Sequence, residues 1–174
     1  TPSSQGLVTA DIAVGVAQDS GGNANMTAAQ FSRTFDSVIP TVTMTSAALD
    51  PTNTSPILVT VQFSENVTGF NASDITAGNA TVGNFNAMDG DTYTFDLTPS
   101  TPGLVTADIA AGVANDAAGN GSAAASQFSR TFDSDVPTVT MSSSAPDPTN
   151  TSPVPVTVQF CEDVTGFDTK DITV

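Results

Sequence analysis

The sequence predicts an all-β chain built from antiparallel β-sandwiches repeated every 97 residues, and three observations lead there. The first is recurrence. QFSRTFDS stands at 30–37 and again at 127–134, and a shift of 97 lays residues 1–77 on residues 98–174 without a gap, 53 of the 77 pairs being identical. A fixed period of this kind marks one folding unit copied in tandem. The second is alternation: Ile57, Val59, Val61 and Phe63 share one parity, Leu58, Thr60 and Gln62 the other. That is the period of a strand buried on one face. The third is punctuation, because turn formers recur at intervals of about 8–12 residues and no stretch carries a helical period.

Residues 1–37 read as the C-terminal part of a repeat. Strands are expected over 7–14 and 28–35, around a Gly-rich loop at 19–23. Two strands do not make a stable unit alone. Residues 38–134 are a complete repeat. Its first strand is expected over 41–46, followed by the loop LDPTNTSP at 49–56 with two prolines and several Asx and Ser/Thr turn formers. The second strand is 57–63. A bent third strand is expected over 67–76 around Phe70 and Ile75, and a fourth over 80–87 around Val82 and Phe85. Asp89-Gly90 is a tight hairpin signal. It leads to a fifth strand over 92–98, with Tyr93, Phe95 and Leu97 facing inward. The last two strands fall at 104–113 and 124–132, joined through a loop at 115–121.

Seven short strands in one 97-residue unit suit a two-sheet immunoglobulin-like sandwich, with a β-barrel as runner-up. Residues 135–174 restart the unit as the N-terminal part of the next repeat, reaching a third strand near Ile172. The two end segments together lack the counterpart of residues 78–97.

Composition sets the function class. Eighteen acids against three bases, with no histidine, give a net charge of −15. Such a surface repels nucleic acid and anionic lipid, so neither is expected as a partner. No apolar run has the length of a membrane span, so membrane insertion is not expected. An acid-rich, lysine-poor surface suits an extracellular or cell-surface protein surrounded by cations. Cys161 is the only cysteine and replaces Ser64 of the preceding copy. It therefore has no intramolecular disulfide partner, and is expected as a buried or half-buried stand-in for serine. Arg33 and Arg130, each between two phenylalanines, are expected to be structural, paired with a carboxylate or stacked on a ring. With no histidine, no Gly-x-Ser-x-Gly, no phosphate loop and no His/Cys metal set, no enzyme is expected.

The loop at 115–120 and its earlier copy at 18–23 carry the motif D-x-x-G-N. Asp116 and Asn120 are suited to cap this turn, with Gly119 at positive φ. The same oxygens suit calcium. Together with FSENVTGF and FCEDVTGF (63–70, 160–167), SDIT and KDIT (73–76, 170–173) and the closing FSRTFDS, this loop resembles bacterial Ig-like repeats of very large exported surface proteins, including type I-secreted RTX adhesins. The resemblance spans the whole sequence and implies an extender or spacer role, often stiffened by calcium.

In a seven-stranded sandwich the loops after strands two, four and six share the pole at which the chain arrives. That pole gathers Glu65 and Asn66, Asp89 and Asp91, Asp116 and Asn120, with Asp36 on the connector. One period later Asp133 and Asp135 meet Glu162 and Asp163. Calcium, if it binds, is expected at these junctions. The second should bind more tightly, because Asp135 replaces Val38 and Asp163 replaces Asn66. Neighbouring repeats of the same chain are the expected partners, with self-association into fibres as a further outcome. Two other readings stand beside the extender: a subunit of a self-assembling filament or sheath, and a carbohydrate-binding accessory module of a secreted enzyme. The second wants exposed aromatic platforms, yet there is no Trp and the only Tyr, Tyr93, has core-facing parity.

Overall fold

The computed structural model describes Pro2 and residues 4–173. These residues form eleven strands: β1 (Gly6–Ala10), β2 (Phe31–Phe35), β3 (Val42–Thr45), β4 (Ile57–Phe63), β5 (Ile75–Gly78), β6 (Ala80–Ala87), β7 (Thr92–Pro99), β8 (Gly103–Ile109), β9 (Phe128–Phe132), β10 (Val139–Ser142) and β11 (Thr157–Phe160). Two compact units divide them, Thr1–Asp133 and Ser134–Val174.

In the first unit, β3 to β9 make two antiparallel sheets, ordered β3-β4-β7-β6 and β5-β8-β9. This is the four-plus-three arrangement of an immunoglobulin constant-type sandwich. Alternation decides which side chains fill it. Ile57, Val59, Val61 and Phe63 of β4 and Tyr93, Phe95 and Leu97 of β7 are buried, and Val105, Ala107 and Ile109 of β8 oppose them. Burying each large aliphatic or aromatic side chain contributes about 1.5–3 kcal/mol. Four rings close one end of the core. Phe70 meets Phe63 and Tyr93 edge-on at 5.2 and 5.1 Å, and Phe85 stacks on Tyr93 at 5.8 Å.

Strands four and five of the repeat lie where the alternation placed them, but the third does not. No strand runs through Val67–Phe70. Gly69 takes φ +94°, and Asn71 and Asp74 form a reciprocal capping box around a 3-10 turn, Ala72–Asp74. Only from Ile75 does the chain pair with β8. Phe70 is buried from a loop. The last two strands are also shorter than their apolar runs, because Gly112 at φ +76° turns the chain out of the sheet after Ile109. In the earlier copy β1 and β2 pair in the register of β8 and β9, from Gly6↔Phe35 to Ala10↔Phe31, and β1 ends two residues before the counterpart of Ile109.

The segment before β4 crosses to the other sheet. Thr52 pairs in parallel with Phe132, through Thr52 N to Thr131 O and Asp133 N to Thr52 O, both 2.9 Å. Asp50 Oδ1 accepts from Thr131 N at 2.9 Å. Arg130 stacks its guanidinium on Phe128 at 4.9 Å and donates to the carbonyls of Ala48, Ser129 and Ser46. The expected ring contact is present, with backbone carbonyls as the hydrogen-bond partners.

The second unit pairs β10 with β11 in the register of β3 with β4: Val139↔Phe160 repeats Val42↔Phe63. A second capping box, Asp168 with Asp171, closes a 3-10 turn at Thr169–Asp171. The third strand expected near Ile172 does not form among the described residues. Cys161 does take the place of Ser64: Thr138 N donates to its Sγ at 3.1 Å, as Thr41 N donates to Ser64 Oγ at 3.0 Å. It is exposed, contrary to the expected burial, since the turn after this strand faces solvent in both copies.

Candidate cation site at the leading pole

Three loops meet where the chain enters the complete repeat, and backbone bonds between them set the geometry. Val67 N donates to Gly90 O at 2.8 Å, and Phe63 N to Asp91 O at 2.9 Å. Thr68 and Asn115 exchange a pair of bonds at 2.8 and 2.9 Å. The loops after β4, β6 and β8 are thereby tied into one surface. Gly90 is part of the reason they approach so closely: a Cβ there would lie 2.7 Å from the Asn66 side chain.

Asp116 is the best-held acid of the pole. Its Oδ1 accepts from the backbone N–H of Ala118 and Asn120 and its Oδ2 from the Asn120 amide, all at 2.8 Å. Gly119 supplies the positive φ that closes the turn. Asp19 repeats the pattern with Gly21 and Asn23 at 2.9 Å. The Asn120 amide holds the Asp116 carboxyl below the usual range; burial, the next largest influence, pulls the other way, and the backbone N–H groups of Asn120, Ala118 and Gly119 add to the lowering. An ionised carboxylate has about four lone-pair sites. Three are used by the turn, so Asp116 keeps one, on Oδ2.

Among the described residues, one group of three acids converges: Asp36, Glu65 and Asp116, each placing an oxygen within 4.8 Å of the others. Asp36 is brought in by the connector, where its Oδ1 accepts from Val38 N at 3.0 Å and its carbonyl accepts from the Asn120 amide at 3.3 Å. Glu65 responds to the crowding. Desolvation first, then the charges of Asp116 and Asp36, push its carboxyl up. Two oxygens on opposite sides of one calcium, at about 2.4 Å each, stand about 4.8 Å apart. Three oxygens within that span can share one ion, and an all-oxygen donor set fits a hard cation rather than zinc or copper.

The other expected ligands are used differently. Asp89 is a turn former: its Oδ1 accepts from Asp91 N and Thr92 N at 3.1 and 2.7 Å, which lowers its pKa, and it lies outside the converging group. Asn120 presents its NH₂, not its oxygen, to Asp116 and Asp36. It organises the acids rather than joining them. Asp133 closes the first unit, while Asp135, Glu162 and Asp163 belong to the second. One residue near the pole escaped the sequence reasoning. Gln5 accepts from Ser37 N at 2.7 Å and, with Asp36, Val38 and Glu65, lines a cleft of about 370 Å³. Its counterpart one period later is Pro102, so the repeat carried no signal for it.

A sequence model of the bacterial Ig-like domain matches residues 36–132. No curated protein and no solved structure matches the chain.

Proposed function

The chain belongs to the bacterial Ig-like domain family, and on that premise we propose that it is a run of extender repeats in a large extracellular surface adhesin or fibre. Domains of this family are typically found in extracellular or surface proteins. The observation that carries the reading is the 97-residue recurrence, with so little chain between the last strand of one copy and the first of the next: β9 ends at Phe132 and β10 begins at Val139. Pro40 and Pro137 stiffen each connector by fixing φ. A module repeated this way adds length and sets spacing. It acts as a structural part rather than an enzyme.

The connector acid Asp36 facing Glu65 and Asp116 supports a second part of the proposal, that calcium ties a connector to the copy it enters. The cation would replace the proton that the crowded Glu65 favours and would remove the repulsion among three carboxylates. Calorimetric titration of the chain with calcium, repeated on an Asp36→Asn variant, tests this: the substitution should cost affinity, and a chain that takes up no calcium would overturn this part of the proposal.

The extender role is tested by displaying a fixed binding module on a cell surface above one, two, three or four copies of residues 38–134. Capture reach should grow with each copy while the affinity of the module stays constant. Reach that is independent of copy number would overturn the reading.

A further inference from the structure

Asn120 is the one asparagine of the sequence that a glycine follows. The pair matters chemically. The backbone nitrogen after an asparagine can attack that residue's own side-chain carbonyl carbon and close a five-membered ring, and glycine alone puts no Cβ in the way. The fold leaves this nitrogen available. Asn115 and Gly121 form an antiparallel bridge whose hydrogen bonds flank the pair: Asp116 N donates to Asn120 O at 3.2 Å and Ser122 N to Ala114 O at 2.9 Å. In a bridge of that kind the N–H of the paired residue points away from its partner. Asn120 and Gly121 are both half-buried, within reach of water.

The same amide is a latch. Asn120 Nδ2 donates to Asp116 Oδ2 at 2.8 Å and to the Asp36 carbonyl at 3.3 Å, and so ties the connector to the turn. An oxygen in place of that nitrogen would turn both attractions into repulsions, since a carboxylate would face a carboxylate and a carbonyl oxygen. The earlier copy supplies the comparison. Asp19 and Asn23 close the same turn, with Asn23 Nδ2 on Asp19 Oδ2 at 2.9 Å and Gln18 bridged to Ala24. The residue after its asparagine is alanine. That copy keeps the turn and lacks the reactive pair.

We propose that Asn120 is a site of self-modification: Gly121 N closes on its side chain, and the carboxylate that results releases the connector at Asp36. The Gly121 nitrogen bonds to Asn120 Cγ, the Cγ–Nδ2 bond breaks, and Nδ2 leaves as ammonia with the proton that Gly121 gives up. Water then opens the succinimide at either carbonyl. Opening at the Cγ–N bond gives aspartate. Opening at the backbone C–N bond gives isoaspartate, which also lengthens the main chain of the loop by one carbon. Either product carries one further negative charge. The hydrogen bonds to Asp116 and Asp36 hold the amide in its latched pose, so the reaction runs when the latch opens and keeps it from closing again. None of this depends on calcium at the pole.

Peptide mapping by mass spectrometry, on the intact chain aged in mildly alkaline buffer with chelator, tests the proposal. Conversion should appear first at Asn120, with Asn23 slower by about tenfold because a β-carbon hinders its attacking residue. Gly121→Ala should bring Asn120 down to the pace of Asn23. Its Cβ would lie 3.3 Å from Gly112 Cα, a contact that a small shift relieves, and the earlier copy already closes this turn with alanine. Asn120→Asp supplies one product directly. In chelator it should lower the thermal midpoint and quicken amide exchange at Ser37 and Val38, and the aged parent chain should drift toward the same values. Asn120→Ala removes the latch without adding charge and should fall between the two. Equal conversion at Asn120 and Asn23 would overturn the proposal. So would a Gly121→Ala chain that converts as fast as the parent, or an Asn120→Asp chain with the parent's midpoint and connector exchange.

Discussion

Glu65 and Asp116 sit in one cluster and respond to pH with opposite sign. The folded-state pKa of Glu65 is raised by desolvation and by its acidic neighbours. Protonation therefore favours the folded pole, and that contribution is lost as pH rises through the folded value. The pKa of Asp116 is lowered by the turn it caps. Its contribution is present above the unfolded value and is lost as pH falls through the folded one. Without divalent cations, Glu65→Gln should leave the thermal midpoint equal or higher at neutral pH and remove its decline just above the ordinary glutamate range. Asp116→Ala should lower the midpoint at neutral pH and flatten its acid limb. Thermal melts from pH 3 to 8 in chelator check both, and a Glu65→Gln chain less stable at neutral pH would contradict the assignment. Arg130 makes a different kind of contribution, bridging Ser46 and Ala48 to β9 through their backbone carbonyls. Arg130→Met keeps the packing on Phe128 and should cost about 1–3 kcal/mol in chemical denaturation, the cost of unpairing hydrogen bonds to a charged donor.

At the scale of elements, the third copy contains an experiment on the second. Pro155 stands where β4 has Leu58, although proline is disfavoured within a sheet. The structure gives the reason. Ser46 Oγ donates to Leu58 O at 2.6 Å, and Ser143 Oγ to Pro155 O at 2.6 Å. The backbone groups of this residue thus face the side where β3 has already ended at Thr45. The neighbouring Val59 faces β7 instead. Leu58→Pro should then cost less than about 1 kcal/mol, while Val59→Pro loses a ladder bond and should cost at least about 1–3 kcal/mol. Equal losses in urea unfolding would show that the strand polarity is misread.

The same scale shows what the sequence discloses. Ile57–Phe63 was legible to the residue, because a strand with one buried face writes its period directly; Ala80–Ala87 fell at its expected bounds although a bulge between Gly83 and Asn86 breaks its period. Phe70 and Ile75 misled, because an apolar side chain can reach the core from a loop, and Gly69 and the Asn71–Asp74 box outweighed the strand signal. At the pole, topology alone brought Asp36, Glu65 and Asp116 together. It could not tell them from Asp89, whose Oδ1 is held by its own hairpin turn and which lies outside the converging group.

At the scale of the whole molecule, the extender role proposed above requires that complete copies, joined by proline-bearing connectors, add to one another in length. Strands of about six residues at ~3.3 Å each, with a loop layer at both poles, give each copy a length of about 40 Å. Calcium at the junction would narrow the range of angles without changing that length. Small-angle scattering from chains of two, three and four complete copies in calcium-containing buffer tests this most directly. The maximum dimension should grow by about 40 Å per added copy, and chelation should broaden the distribution while leaving the increment unchanged. A maximum dimension that levels off with copy number, as it would for copies folded side by side, would contradict the account.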